Sequence, residues 1–183
     1  MRLLLAYAAV VSAVTAAVDP ARIAATQHGA LWRIVTSGLR ADDPVVASIA
    51  GIVVVGAVTI LVAGTRVTLA TAVIGHIASA LVVYAALDAA RRTVTTLDYG
   101  TSAITAAWVG VLVYALWSRG RRRAAVGFFT VAAIVGWLCK GQLTVLDWEH
   151  AFAVAVGWLA VPTMAAWRHV SKYGTTNPRW STR

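Results

Sequence analysis

Val45-Val-Ala-Ser-Ile-Ala-Gly-Ile-Val-Val-Val-Gly-Ala-Val-Thr-Ile-Leu-Val-Ala63 carries no charged residue from end to end. Its length falls in the roughly 17–25 residues that an α-helix needs to cross a bilayer. Similar apolar runs occupy 2–18, 67–88, 100–118, 123–140 and 149–167. They are rich in alanine, valine and glycine, which lets helices approach closely where lipid supplies no hydrophobic drive between them. Breaks are marked by Asp42-Asp43-Pro44, Gly64-Thr65-Arg66, Arg91-Arg92 and Ser118-Arg119-Gly120. Trp117, Trp137, Trp148 and Trp167 stand near run ends, as an interfacial aromatic belt requires.

Composition agrees with that reading. The chain is 60% apolar and only 13% charged, about half the charge of an ordinary soluble domain. Its mean hydropathy is +0.75. The expected fold is therefore an all-α integral membrane protein of six transmembrane helices. Residues 1–168 form one membrane domain with an outer loop at 19–44. Residues 169–183 form a short basic cytoplasmic tail whose composition predicts disorder. Thr15-Ala16-Ala17 also fits the end of a cleaved signal peptide. A lone Arg2 ahead of it and the run on to Val18 without a polar cleavage zone favour a retained helix.

Charge sorts by side. Alternate crossings give one face Arg2, Arg66, Arg119, Arg121, Arg122, Arg123, Arg168, Lys172, Arg179 and Arg183, with no acid. The opposite face receives six basic residues and all seven acids. The positive-inside rule puts both termini in the cytoplasm of a plasma-membrane protein. The same distribution assigns the net charge of +9 to topology and anionic lipid rather than to nucleic acid. The bilayer is thus the first expected partner, while oligomeric state stays open. The single cysteine, Cys139, allows no internal disulfide. With no CxxC, HExxH, Walker loop or GxGxxG, no metal or cofactor is expected.

Chemistry concentrates in two polar clusters that open apolar runs on the acidic, outer side. Asp98-Tyr-Gly-Thr-Ser102 begins the fourth run and Asp147-Trp-Glu-His150 the sixth. Ser102 and His150 fall at comparable depth. Ser102 lies in a first helical turn, whose free N–H groups favour a developing negative charge. Gly100 permits close approach of a substrate backbone. A serine beside a histidine suffices for acyl transfer. Taken singly, Ser102 also reads as a helix cap and His150 as a solvated interfacial residue. Asp98, Asp147 and Glu149 read as solvated outer residues. His76 falls near mid-membrane, well below the serine. It is either functional, as intramembrane histidines tend to be, or hydrogen-bonded to Ser79 or a neighbour.

These motifs resemble the rhomboid family of intramembrane serine proteases, particularly its divergent actinobacterial members. Trp32-Arg33 stands where rhomboids carry a Trp-Arg loop motif. Gly100-Thr-Ser102-Ala103 corresponds to Gly-x-Ser-Gly. His150 with Ala153 and Gly157 corresponds to His-x-x-Gly-x-x-x-Gly, and Gly110 fits a helix-packing position. The resemblance implies a six-helix bundle with Ser102 as nucleophile and His150 as general base. It implies that Trp32 and Arg33 order a half-embedded loop, and that the substrates are transmembrane proteins cleaved near the outer leaflet. Two departures stand out. Ala103 replaces the glycine after the serine, and the second segment has Val46 and Ala50 where active rhomboids place His-x-x-x-Asn to bind the oxyanion. Ser48 is the candidate substitute donor; its alternative is a bond to its own backbone. Ala106 replaces the tyrosine that commonly packs under the histidine. A catalytically inactive rhomboid-like adaptor or regulator that binds transmembrane helices is the competing expectation. A transporter or channel would need charged residues deep in several segments, and only His76 approaches that.

Overall fold

The computed structural model describes the backbone of residues 1–93, 97–140 and 147–173, and their side chains except at 139, 140 and 165–173. The described chain is all-helical apart from one isolated bridge. Helix α1 spans Arg2–Ala17, α4 Val45–Ala63, α5 Thr65–Ala89, α6 Thr101–Ser118, α7 Arg122–Lys140 and α8 Asp147–Tyr173. Each of the six apolar runs is thus one helix, within a few residues of its expected bounds. Two short helices, α2 (Pro20–Ile23) and α3 (Trp32–Ser37), interrupt the outer loop. Helix α8 runs on to Tyr173, past the expected start of the tail at 169; residues 174–183 lie outside the described ones. Helices α4, α5 and α6 are long and apolar enough to cross a membrane.

Burial sorts side chains by size more than by polarity. Large apolar side chains such as Val46, Val54, Leu61, Val73 and Leu159 point outward. Small and weakly polar ones, Thr59, Thr68, Thr71, Ser79 and Ala107, face inward. Helix α1 docks Leu4, Ala8 and Val11 on Ile52, Ile104 and Trp108. The Trp108 indole N–H donates to the Thr68 carbonyl at 2.9 Å, so the buried ring leaves no polar atom unmet. The α4–α5 reversal takes one residue: Gly64 sits at φ 85°, a conformation that costs glycine little.

The outer loop folds into the bundle. The Arg40 guanidinium donates to the Thr15 and Val18 carbonyls, closing the end of α1. Tyr7 donates to the Gly38 carbonyl. Ala25 and Asp98 exchange backbone hydrogen bonds, and the Gly100 N–H donates to the Ser37 carbonyl at 3.1 Å. The start of α6 is thereby drawn in beside His76, midway along α5. From His76, α5 continues to Ala89, about 20 Å further at 1.5 Å per residue. Helix α6 therefore begins deep in the bundle rather than at its rim.

Candidate functional site

Helices α6 and α8 run parallel and make the most extensive helix pairing in the molecule. Glycine and alanine make this possible. A Cβ on Gly157 would lie 1.9 Å from the Ala107 carbonyl oxygen, and one on Gly110 would lie 2.1 Å from that of Val154. Ala103, Ala107 and Ala153 form the buried cluster above these contacts. Position 157 exceeds 107, and 153 exceeds 103, by the same fifty residues, so His150 is level with the first turn of α6. Ser102 and His150 consequently lie within about one turn of each other along the seam.

The helical period then decides which side each residue faces. At about 100° per residue, Ser102 turns from Ala103 toward one flank, and His150 turns from Ala153 toward the same flank. Gly100 and Glu149 turn to the other. Deeper on the first flank, Val109 and Val113 close against Ala125 of α7 and Trp158 of α8. Above that closure Ser102 and His150 are both half-buried. The Ser102 hydroxyl donates to the Tyr99 carbonyl at 3.2 Å, and no hydrogen bond joins it to His150. The His150 Nδ1 lies 3.7 Å from Asp147 Oδ1, one turn back. This leaves Asp147 placed to orient the imidazole.

The second flank is sealed and polar. His76 of α5 is 3% exposed, Asp98 5% and Glu149 1%. This corrects the expectation that Asp98 and Glu149 are solvated. Glu149 precedes Ala153 by one turn and so joins the buried stripe, while Asp98 is covered by the loop strand at Ala25. His76 Nε2 reaches the Ile34 carbonyl and lies 3.2 Å from the Ser37 hydroxyl. Its Nδ1 has no hydrogen-bond partner and stands 3.8 Å from Glu149 Oε1. Asp98 lies beside the Glu149 carboxyl and accepts from the Tyr84 hydroxyl at 2.6 Å. Ser79 donates to Glu149 at 3.4 Å. Burial first, and then the Glu149 carboxyl beside it, push Asp98 up from 3.8 to about 7, while Tyr84 and His76 pull the other way. His76 is also not well below the serine. Its ring lies where a Gly100 Cβ would be, 2.0 Å from Cε1, so glycine at 100 makes room for an imidazole.

The remaining expected residues take other roles. Ser48 donates to the Asp42 carbonyl at 2.9 Å, its backbone-bonded alternative. Trp32 is exposed, with the Arg33 guanidinium 5.6 Å from its ring. The bonds that fasten the loop to α6 come instead from Ala25, Ser37 and Arg40, the last accepting from Thr101. The polar cluster had a sequence signal: Glu149, Ala153 and Gly157 share one helical stripe, and Gly75-His76 and Ser79 share another.

Comparison with protein-family models, with curated proteins and with solved structures finds no match. The site therefore rests on its own chemistry.

Proposed function

We propose that the chain is a six-pass rhomboid-like membrane protein, both termini cytoplasmic, that acts as an intramembrane serine endopeptidase on transmembrane proteins near the outer leaflet. The observation that carries this is the α6–α8 seam. It brings Ser102 and His150 to one level and one flank, at the small-residue positions where the resemblance expects them. His150 takes the Ser102 proton as the hydroxyl oxygen attacks a peptide carbonyl, then returns it to the leaving amine. Water repeats the two transfers to release the acyl group. The first-turn N–H groups of α6, at Thr101, Ser102 and Ala103, have no helical acceptor and face the developing oxyanion. For reaction, the Ser102 hydroxyl swings off the Tyr99 carbonyl.

A second reading has its own support. Ser102 rests on Tyr99 and Ser48 on Asp42, so Ser48 supplies no side-chain donor to an oxyanion. These features fit a rhomboid-like adaptor that binds transmembrane helices without cutting them. Labelling with a fluorophosphonate probe in detergent separates the two. The protease labels as wild type and loses labelling in Ser102→Ala and His150→Ala. Equal labelling of wild type and Ser102→Ala removes the protease and leaves the adaptor.

A further inference from the structure

We propose that Asp98, packed against His76 and Glu149, is a proton-operated lock, closed while its carboxyl is protonated, that holds the outer loop and the start of α6 against α5 and α8. The proposal does not depend on serine chemistry. Its first support is the proton inventory. His76 Nε2 faces the Ile34 carbonyl, an acceptor only, so Nε2 carries a proton. Its Nδ1 makes no hydrogen bond and stands 3.8 Å from Glu149 Oε1. The Glu149 carboxyl also stands beside Asp98, and two carboxyls packed together in so dry a site cannot both ionise, so the pair holds a proton.

Removing the Asp98 proton seals a further negative charge inside, and no Lys or Arg side chain among the described residues pairs with it. The groups facing Asp98 are Glu149 from α8 and His76 and Tyr84 from α5. The outer loop and α3 bring uncharged groups: the Ala25 backbone toward Asp98, and the Ile34 carbonyl and Ser37 hydroxyl toward His76. Arg40 lies over the adjacent Tyr99 ring, with its Nη1 on the Thr15 and Val18 carbonyls, and pairs with neither acid. Arg33 lies over Trp32. The cheapest relief is to admit water by parting what covers the acid. That cover is the Ala25–Asp98 bridge and the Ser37–Gly100 hydrogen bond. Opening there frees the backbone two residues before Ser102.

Hydrogen exchange on the whole protein in detergent, corrected for intrinsic rates, reads this directly at the Ala25, Asp98 and Gly100 amides. Protection of these amides falls roughly tenfold from pH 6 to pH 8.5, while α4 amides are unchanged. Asp98→Asn stays neutral, and Glu149→Gln supplies an amide donor to an ionised Asp98, so both flatten the profile. His28, exposed beside Asp88 on the same loop, is common to all three chains and cancels. A flat wild-type profile overturns the lock, as does a folded Asp98→Asn or Glu149→Gln that keeps the wild-type fall. Where neither variant folds, the wild-type profile decides alone. Fluorophosphonate labelling plays no part, so an inert serine leaves the outcome intact.

Discussion

The two flanks of the α6–α8 seam carry similar residue types in opposite conditions. One holds Ser102 and His150, half-buried, with Asp147 a turn away from the histidine. The other holds His76, Glu149, Asp98 and Tyr84, buried and bonded to one another or to backbone carbonyls. Successive residues are divided between them: Glu149 faces inward and His150 outward. An imidazole that is to move protons to a substrate needs access to it. An imidazole that is to hold helices together needs burial and fixed partners. On α8, about 100° of helix rotation separates the buried Glu149 from the half-buried His150.

The comparison depends first on the seam itself, so the largest effect belongs there. Gly157→Leu sets a side chain where even a Cβ lies 1.9 Å from the Ala107 carbonyl oxygen. Backbone cannot yield as a side-chain tip can, and overpacking of this kind costs about 3 kcal/mol or more. The variant is expected to melt far below wild type in detergent and to lose both probe labelling and loop protection together. Survival of either function with the melting temperature unchanged would separate the two flanks from the seam.

The two histidines should then fail in different ways. His76→Ala empties a buried site and takes the imidazole from beside the buried Glu149, a loss of about 3 kcal/mol. His150→Ala, at a half-exposed position, changes stability by less than about 1 kcal/mol yet abolishes fluorophosphonate labelling. Thermal melting and labelling measured on both variants give a two-by-two outcome. Labelling by His150→Ala at the wild-type rate breaks the assignment of the outer flank, and normal melting of His76→Ala breaks that of the inner one.

How far these flanks were legible in the sequence differs for physical reasons. The six helices were, because long apolar runs with charge confined to their ends have few alternative structures, and Gly64 and Pro44 mark breaks plainly. The depth match of Ser102 and His150 followed from counting residues along straight helices. The burial of Asp98 and Glu149 did not. Acids at the ends of apolar runs ordinarily meet water, and the cover over Asp98 comes from Ala25, more than seventy residues away in sequence. The depth of His76 departs from the sequence expectation for a related reason. Counting from Arg66 places it along α5 correctly but cannot register that α6 starts beside the middle of α5 rather than at its end. Ser48 shows the reverse case, where a local backbone bond, always available to a serine near a helix start, won over a longer reach.

The smallest expected effect tests the inner flank most narrowly. Tyr84 donates to Asp98, and that bond favours the ionised carboxylate, opposing burial and Glu149. Because the folded-state value for Asp98, about 7, stands above the ordinary 3.8, the unfolded chain releases this proton first as pH rises. The stabilisation is thus fully present below about pH 4 and is lost progressively up to about pH 7. Tyr84→Phe removes one buried hydrogen bond, about 1 kcal/mol at pH 5, and removes the one hydroxyl that eased ionisation. The fall in melting temperature with pH should then extend to higher pH than in wild type, while Asp98→Asn abolishes it. Midpoints taken from melting curves between pH 4.5 and 9 carry the answer. A Tyr84→Phe profile shifted toward lower pH would mean that Asp98 is not the group being titrated.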